Sequence, residues 1–187
     1  MHIGLYFGTF NPIHKGHLAV AKAMYRQVLF DAVWFVVSPS SPFKDCSQLL
    51  DEQKRFGLVS LAIKELPFCL ATDIEFNMKR PSYTYLTLRK LKETYPNDTF
   101  SIIMGGDNFE SIEKWKKYEE IMRNHSIYVY PRERVLQVEA IKNVFYIDMP
   151  LLNISSTQIR ELLTKGESVE GLLPERIIKI IEKEQLY

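Results

Sequence analysis

The chain has 187 residues, enough for one well-covered core, and its 24 Lys and Arg nearly cancel its 23 Asp and Glu, for a net charge of +1. Near-neutral charge excludes a general attraction to nucleic acid or an anionic membrane, so any bound anion needs a local site. Two cysteines without CxxC spacing argue against a disulfide framework or a zinc knuckle, no apolar run reaches the roughly 20 residues that span a bilayer, and no leader-like segment opens the chain, so a cytoplasmic protein is expected.

Strand and helix signals alternate from the start. "HIGLYF" (2–7) is a short apolar run that fits a buried strand, and "GHLAVAKAMYRQVLF" (16–30) repeats apolar residues at helical spacing. "AVWFVV" (32–37) is apolar on both faces, as a parallel strand covered on each side must be. The turn-forming loop "SPSSPFKDCSQ" (38–48) leads to a helix over 50–66, a strand over 68–76 and an amphipathic helix over 83–95 that stops before Pro96. "TFSIIMGGD" (99–107) reads as a fourth strand with its exit turn, and 111–124 as a helix in two pieces. Strands over 126–131 and 144–149 follow, then two helices, "STQIRELLTKG" and "PERIIKIIEKE".

This alternation, with short connections and no linker or repeat, predicts one domain over 1–187. Its core is a doubly wound, mostly parallel, Rossmann-like α/β sheet with helices on both faces. Ligands of such sheets sit at the carboxyl ends of the strands, where strand order reverses. "FGTFNPIHKGH", "SPSSPFK", "GGD" and "NISSTQIR" all fall just after predicted strands.

Neither a Gly-x-Gly-x-x-Gly fingerprint nor a P-loop is present, which lowers dinucleotide redox chemistry and P-loop hydrolysis. In "NPIHKGH", His14 and His17 are three apart at a helix start, where free N–H groups and imidazole donors together suit a phosphate. A catalytic zinc would need a third ligand and a carboxylate base that the neighbourhood lacks. In "NISSTQIRELL", Ser155, Ser156 or Thr157 can cap a helix while Arg160 lies one turn further in, a second phosphate cradle. Taken alone, that block is also a plain helix cap with a surface arginine.

"GTFNPIHKGH" with the late "ISSTQIR" resembles the nucleotidyltransferase superfamily marked by a (H/T)xGH motif and an ISSTxIR-like motif. "FNPIHKGH", "PSYTYLTL" (81–88), "IIMGGDNFESIEKWKKYEEI" (102–121) and "ISSTQIRELL" narrow it further. In that order, these blocks are similar to those of the bacterial nicotinate-nucleotide adenylyltransferases over nearly the whole chain.

The resemblance implies transfer of AMP from ATP to nicotinic acid mononucleotide, giving nicotinic acid adenine dinucleotide and pyrophosphate for NAD biosynthesis. Mg²⁺ would be carried with ATP. It implies that His14 and His17 are catalytic and hold the ATP phosphates, with Ser155, Ser156, Thr157 and Arg160 on the β- and γ-phosphates. Gly8, Thr9, Phe10, Gly105 and Asp107 would also serve ATP, Asp107 at the ribose hydroxyls. Asn11, Lys44, Thr84 and Trp115 would serve the mononucleotide, with Trp115 stacked on the pyridine ring and Thr84 near its carboxylate. From spacing alone, Asp107 is equally a turn former, Trp115 a core residue and Lys44 a surface lysine.

Two departures touch mononucleotide binding. Phe7 stands where many relatives keep a second glycine, and Phe43 where many keep a histidine. The "PSYTYLTL" block and Trp115 argue against phosphopantetheine and cytidylyl transferases. A transferase preferring nicotinamide mononucleotide, or a non-catalytic nucleotide-binding regulator of the same fold, are the alternative readings.

Overall fold

The computed structural model describes residues 1–40, 49–131 and 140–187. Its strands are β1 (His2–Gly8), β2 (Ala32–Val37), β3 (Cys69–Thr72), β4 (Thr99–Gly105), β5 (Ile127–Tyr130) and β6 (Val144–Tyr146). They pair in the order β3-β2-β1-β4-β5-β6, every neighbour parallel. Registers run Ile3↔Ala32 between β1 and β2 and His2↔Thr99 between β1 and β4. Strand order therefore reverses between β1 and β4, which places a crevice at their carboxyl ends.

Alternation along the strands makes two cores. On one face, Tyr6, Val33, Phe35, Val37, Ile103 and Tyr130 meet α1 (Lys15–Val28), α2 (Glu52–Ile63), α6 (Ser156–Thr164) and α7 (Glu175–Glu184). On the other, Ile3, Leu5, Val36, Phe100, Ile102, Met104, Ile127 and Val129 meet α3 (Thr84–Thr94), α4 (Gly106–Glu110) and α5 (Tyr118–Asn124). Both faces of the sheet are thus covered, and this explains why its strands read as nearly continuous apolar runs. Among the described residues no helix is long and apolar enough to cross a membrane.

The helix boundaries follow ordinary chemistry. Asp51 caps α2 by accepting the N–H groups of Gln53 and Lys54. Helix α7 buries Ile177 and Ile181 on one stripe, as its spacing requires.

Three elements differ from the sequence expectation. The third strand stops at Thr72, because the Thr72 hydroxyl takes the Ile74 N–H and the Asp73 carbonyl takes the Phe76 N–H, closing a turn. The sixth stops at Tyr146, although the Ile147 N–H still reaches the Val129 carbonyl. "GGD" is not a simple exit turn: Gly106 and Asp107 open the short helix α4. The helix in two pieces over 111–124 is a 3₁₀ turn at Ile112–Lys114 followed by α5.

Candidate active site

The connection after β1 carries the histidines. His14 is the N-cap of α1, in extended conformation, and its Nδ1 accepts the His17 N–H at 3.3 Å. His17 returns the bond: its Nδ1 accepts the His14 N–H at 3.2 Å. This reciprocal arrangement is a capping box built from two imidazoles instead of a hydroxyl and a carboxylate. With Nδ1 used as acceptor, a neutral ring carries its proton on Nε2, which makes Nε2–H the outward donor.

The two rings stack with centroids 3.6 Å apart and planes 23° from parallel. His14 is buried beneath, only 3% exposed, while His17 lines the cleft. Gly16 makes the stack possible, because a Cβ there would stand 2.9 Å from His14 Nδ1. Two N–H groups of the first helical turn are already engaged, Lys15 by the Leu172 carbonyl and His17 by His14. The α1 terminus is therefore a less open anion site than the sequence expectation gave it.

Phe10 packs edge-on against His17 at 5.0 Å, and also touches Tyr6 and Phe35. It adopts a left-handed backbone with φ 47°, a strained choice for a non-glycine residue that the surrounding aromatic core enforces. A Cβ on Gly8 would stand 2.9 Å from the Phe10 ring, so only glycine lets the ring lie there.

Opposite stands the start of α6. Ser155 is its N-cap, its Oγ accepting the Gln158 N–H at 3.1 Å. The Ser156 hydroxyl donates to the Pro12 carbonyl at 3.0 Å. Arg160 Nη1 donates to the Asn11 carbonyl at 2.8 Å and Nη2 to Thr157 Oγ1 at 3.3 Å. Its Nε is buried without a hydrogen-bond partner among the described residues. The Ser156 and Arg160 bonds tie the two motif loops together across about 150 positions of sequence. At the helix start, the N–H groups of Ser156 and Thr157 have no intrahelical partner.

One cleft gathers most of the expected residues. Gly8, Thr9, Phe10, Asn11, His17, Gly105, Trp115, Ser155, Ser156, Thr157 and Arg160 all line it. It opens at the β1/β4 reversal, between the histidine turn and the α6 start. Three residues stand apart from its wall. His14 lies under His17 because capping folds its ring inward. Asp107 is exposed in the first turn of α4, and its neighbour Asn108 lines the cleft instead. Thr84 is the first residue of α3, half-buried, and not part of the wall. Lys44 lies outside the described residues.

Sequence reasoning missed several contributors. Tyr6 and Tyr130 form the floor, their hydroxyls 2.9 Å apart. Phe7 lines the cleft while packing into the second core. Arg55, fully buried, donates to the carbonyls of Thr9, Ser38, Pro39 and Leu50 at 2.6–2.7 Å, clamping the loops after β1 and β2 to α2. In sequence it is one more charged residue in "DEQKRFG" and carries no signal.

The comparisons with known proteins agree with this geometry. The cytidylyltransferase-like family matches residues 5–162. A protein of Flavobacterium johnsoniae named a probable nicotinate-nucleotide adenylyltransferase is 44% identical, covering 100% of this chain and 99% of its own. One of the same name from Flavobacterium psychrophilum is 45% identical, again over 100% and 99%. Among solved structures, Plasmodium falciparum nicotinic acid mononucleotide adenylyltransferase complexed with NaAD superposes with a TM-score of 0.82 at 22% identity, covering 100% of this chain and 97% of that one. That last likeness speaks for the fold. The chain belongs to the cytidylyltransferase-like family and, within it, to the nicotinate-nucleotide adenylyltransferases.

Proposed function

We propose that this cleft transfers AMP from ATP to the phosphate of nicotinic acid mononucleotide. An oxygen of the mononucleotide phosphate bonds to the α-phosphorus, the bond from that phosphorus to the bridging oxygen breaks, and pyrophosphate leaves with the electron pair. The product is nicotinic acid adenine dinucleotide, a precursor of NAD. The observation that carries this reading is the meeting of the histidine turn and the α6 start on one cleft, locked together by Ser156–Pro12 and Arg160–Asn11.

No protein nucleophile is needed, so catalysis rests on positioning and on charge stabilisation. His17 Nε2–H is the donor toward the α-phosphate oxygens as charge grows there. His14 orients that ring from below through the stack and the reciprocal cap. Ser155, Ser156, Thr157 and Arg160 hold the β- and γ-phosphates and then the departing pyrophosphate. Gly8, Thr9, Phe10 and Gly105 supply close backbone approach to the nucleotide, and Asp107 reaches the ribose from the α4 edge. Trp115, in the cleft wall, stacks on the pyridine ring. Asn11, Lys44 and Thr84 complete the mononucleotide side.

Mg²⁺ would enter as part of Mg-ATP and would supply charge neutralisation for the phosphates. Among the described residues no three His, Cys, Asp or Glu side chains gather to hold a metal ion. We read residues 1–187 as one nucleotidyltransferase domain, since both ends of the sequence supply the same cleft. A cytoplasmic location fits the free thiol of Cys69.

Pyrophosphate release with Mg-ATP tests the reading, offering nicotinic acid mononucleotide, nicotinamide mononucleotide or phosphopantetheine in parallel. Fast release with the nicotinate substrate and a dinucleotide of matching mass supports it. Preference for the nicotinamide substrate overturns the carboxylate pocket, and silence with all three overturns the reaction.

A further inference from the structure

Asn11 is held from a distant part of the chain. The Tyr187 hydroxyl donates to Asn11 Oδ1 at 2.8 Å, across 176 positions. The same oxygen accepts the Leu50 N–H at 3.2 Å, so both of its lone pairs are used. The Asn11 carbonyl accepts Arg160 Nη1 at 2.8 Å. Asn11 is 5% exposed and three positions ahead of His14. The lead into α2, the first turns of α6 and the tail after α7 therefore converge on one residue of the histidine turn.

The tail is built to deliver that hydroxyl. Gln185 turns the chain at φ 51°, the Leu186 N–H donates to the Ile181 carbonyl at 3.0 Å, and Leu186 is buried in the core beneath α7. Burial holds the Tyr187 phenol well above its ordinary range, with the Arg55 and Arg160 charges opposing but not reversing the shift. The hydroxyl thus keeps its proton and stays a donor at neutral pH.

We propose that Tyr187 is a positioning residue for the turn that carries His14 and His17. Its hydroxyl fixes Asn11, and with it the backbone from Phe10 to His14, so that phosphates meet a preformed cradle. The inference builds on the adenylyl-transfer reading, but its first test does not depend on that reaction.

The test is Tyr187→Phe in the full chain, which removes one oxygen. Hydrogen exchange read by mass spectrometry should quicken in peptides covering residues 8–18 and 49–51 and stay unchanged in β4 and β5. kcat should fall about three- to tenfold, the reach of one hydrogen bond, with the melting temperature nearly unchanged. In an Asn11→Ala background Tyr187→Phe should have no further effect. Unchanged exchange at 8–18, exchange raised evenly across the strands, or full additivity with Asn11→Ala overturns the inference. If the wild-type protein transfers AMP to no mononucleotide, the functional reading falls, while the exchange pattern still decides the role of Tyr187.

Discussion

His14 and His17 hold each other: their rings stack at 3.6 Å and each Nδ1 accepts the other's backbone N–H. One of them faces the cleft and the other is packed beneath it. In the proposed reaction the pair would divide the work, with His17 presenting a donor and His14 setting its direction.

That division predicts different phenotypes. His17→Ala should lower turnover about a hundredfold or more, as loss of a transition-state donor does. His14→Ala removes the helix cap as well, so it should cost about 1 kcal/mol of stability in addition to its rate loss. Steady-state rates and melting curves of both variants check this. Unchanged turnover in His17→Ala would remove the donor role.

Gly16→Ala probes the stack without replacing either histidine. Its new Cβ would meet His14 Nδ1 at 2.9 Å and force the ring to shift. Alanine favours the helix by about 1 kcal/mol over glycine, which offsets the clash in overall stability. The expected result is a protein that melts near the wild-type temperature but turns over about tenfold more slowly, the penalty of a misplaced donor. A wild-type rate in this variant would show that the stack has no bearing on catalysis.

Much of this was legible in the sequence because the strands are buried on both faces. "AVWFVV" and "SIIMG" can be little else than central parallel strands, and the Pro/Gly-bounded "NPIHKGH" marks the turn that follows β1. What stayed hidden depends on distant partners. Arg55 and Tyr187 look like surface residues in their local sequence, and only the closing of β1, β2 and the tail onto α2 and Asn11 buries them. The inward turn of His14 was hidden for a related reason. Both rings accept a cap bond, and nothing in the spacing says which of the two is covered. The helix at Gly106–Glu110 was masked by two glycines that favour a turn when read locally.

Stability should fall on acidification partly through His2. Burial holds its pKa below the ordinary 6.5, the Asp31 carboxylate pulling the other way and the N-terminal ammonium adding to the lowering. A depressed folded-state pKa means that the unfolded chain binds more protons as pH drops through 6.5. The contribution is therefore present above that pH and is lost as pH falls through the folded value. Between about pH 7.5 and 5.5, wild type should lose more of its melting temperature than His2→Gln. Identical pH profiles would refute it.

Arg55→Met should be among the most damaging single changes. It leaves four carbonyls, those of Thr9, Ser38, Pro39 and Leu50, without their shared donor in a buried place. Leaving a buried acceptor unpaired costs about 1–3 kcal/mol, so several together should cost about 3 kcal/mol or more, roughly 10 °C in a chain of this size. Chemical denaturation gives the value directly. A loss under 1 kcal/mol would mean that the clamp is replaceable by packing.

Arg160 separates charge from geometry. Its guanidinium spans the Asn11 carbonyl and Thr157 Oγ1 while Nε, buried, finds no protein partner among the described residues. Lysine would keep the positive charge but lose the fork that reaches several acceptors at once. If the residue binds phosphate by charge alone, Arg160→Lys should be nearly silent and Arg160→Ala severe. The geometry favours the other outcome, because an ammonium's donors all leave one nitrogen and lack the planar spread that lets the guanidinium hold the Asn11 carbonyl and still reach a phosphate oxygen. We expect Arg160→Lys to lower kcat/KM for Mg-ATP by about 10- to 100-fold, the range of one or two charge-assisted hydrogen bonds, with Arg160→Ala only moderately worse. Lysine at wild-type efficiency would overturn the forked contact and leave only an electrostatic role for this position.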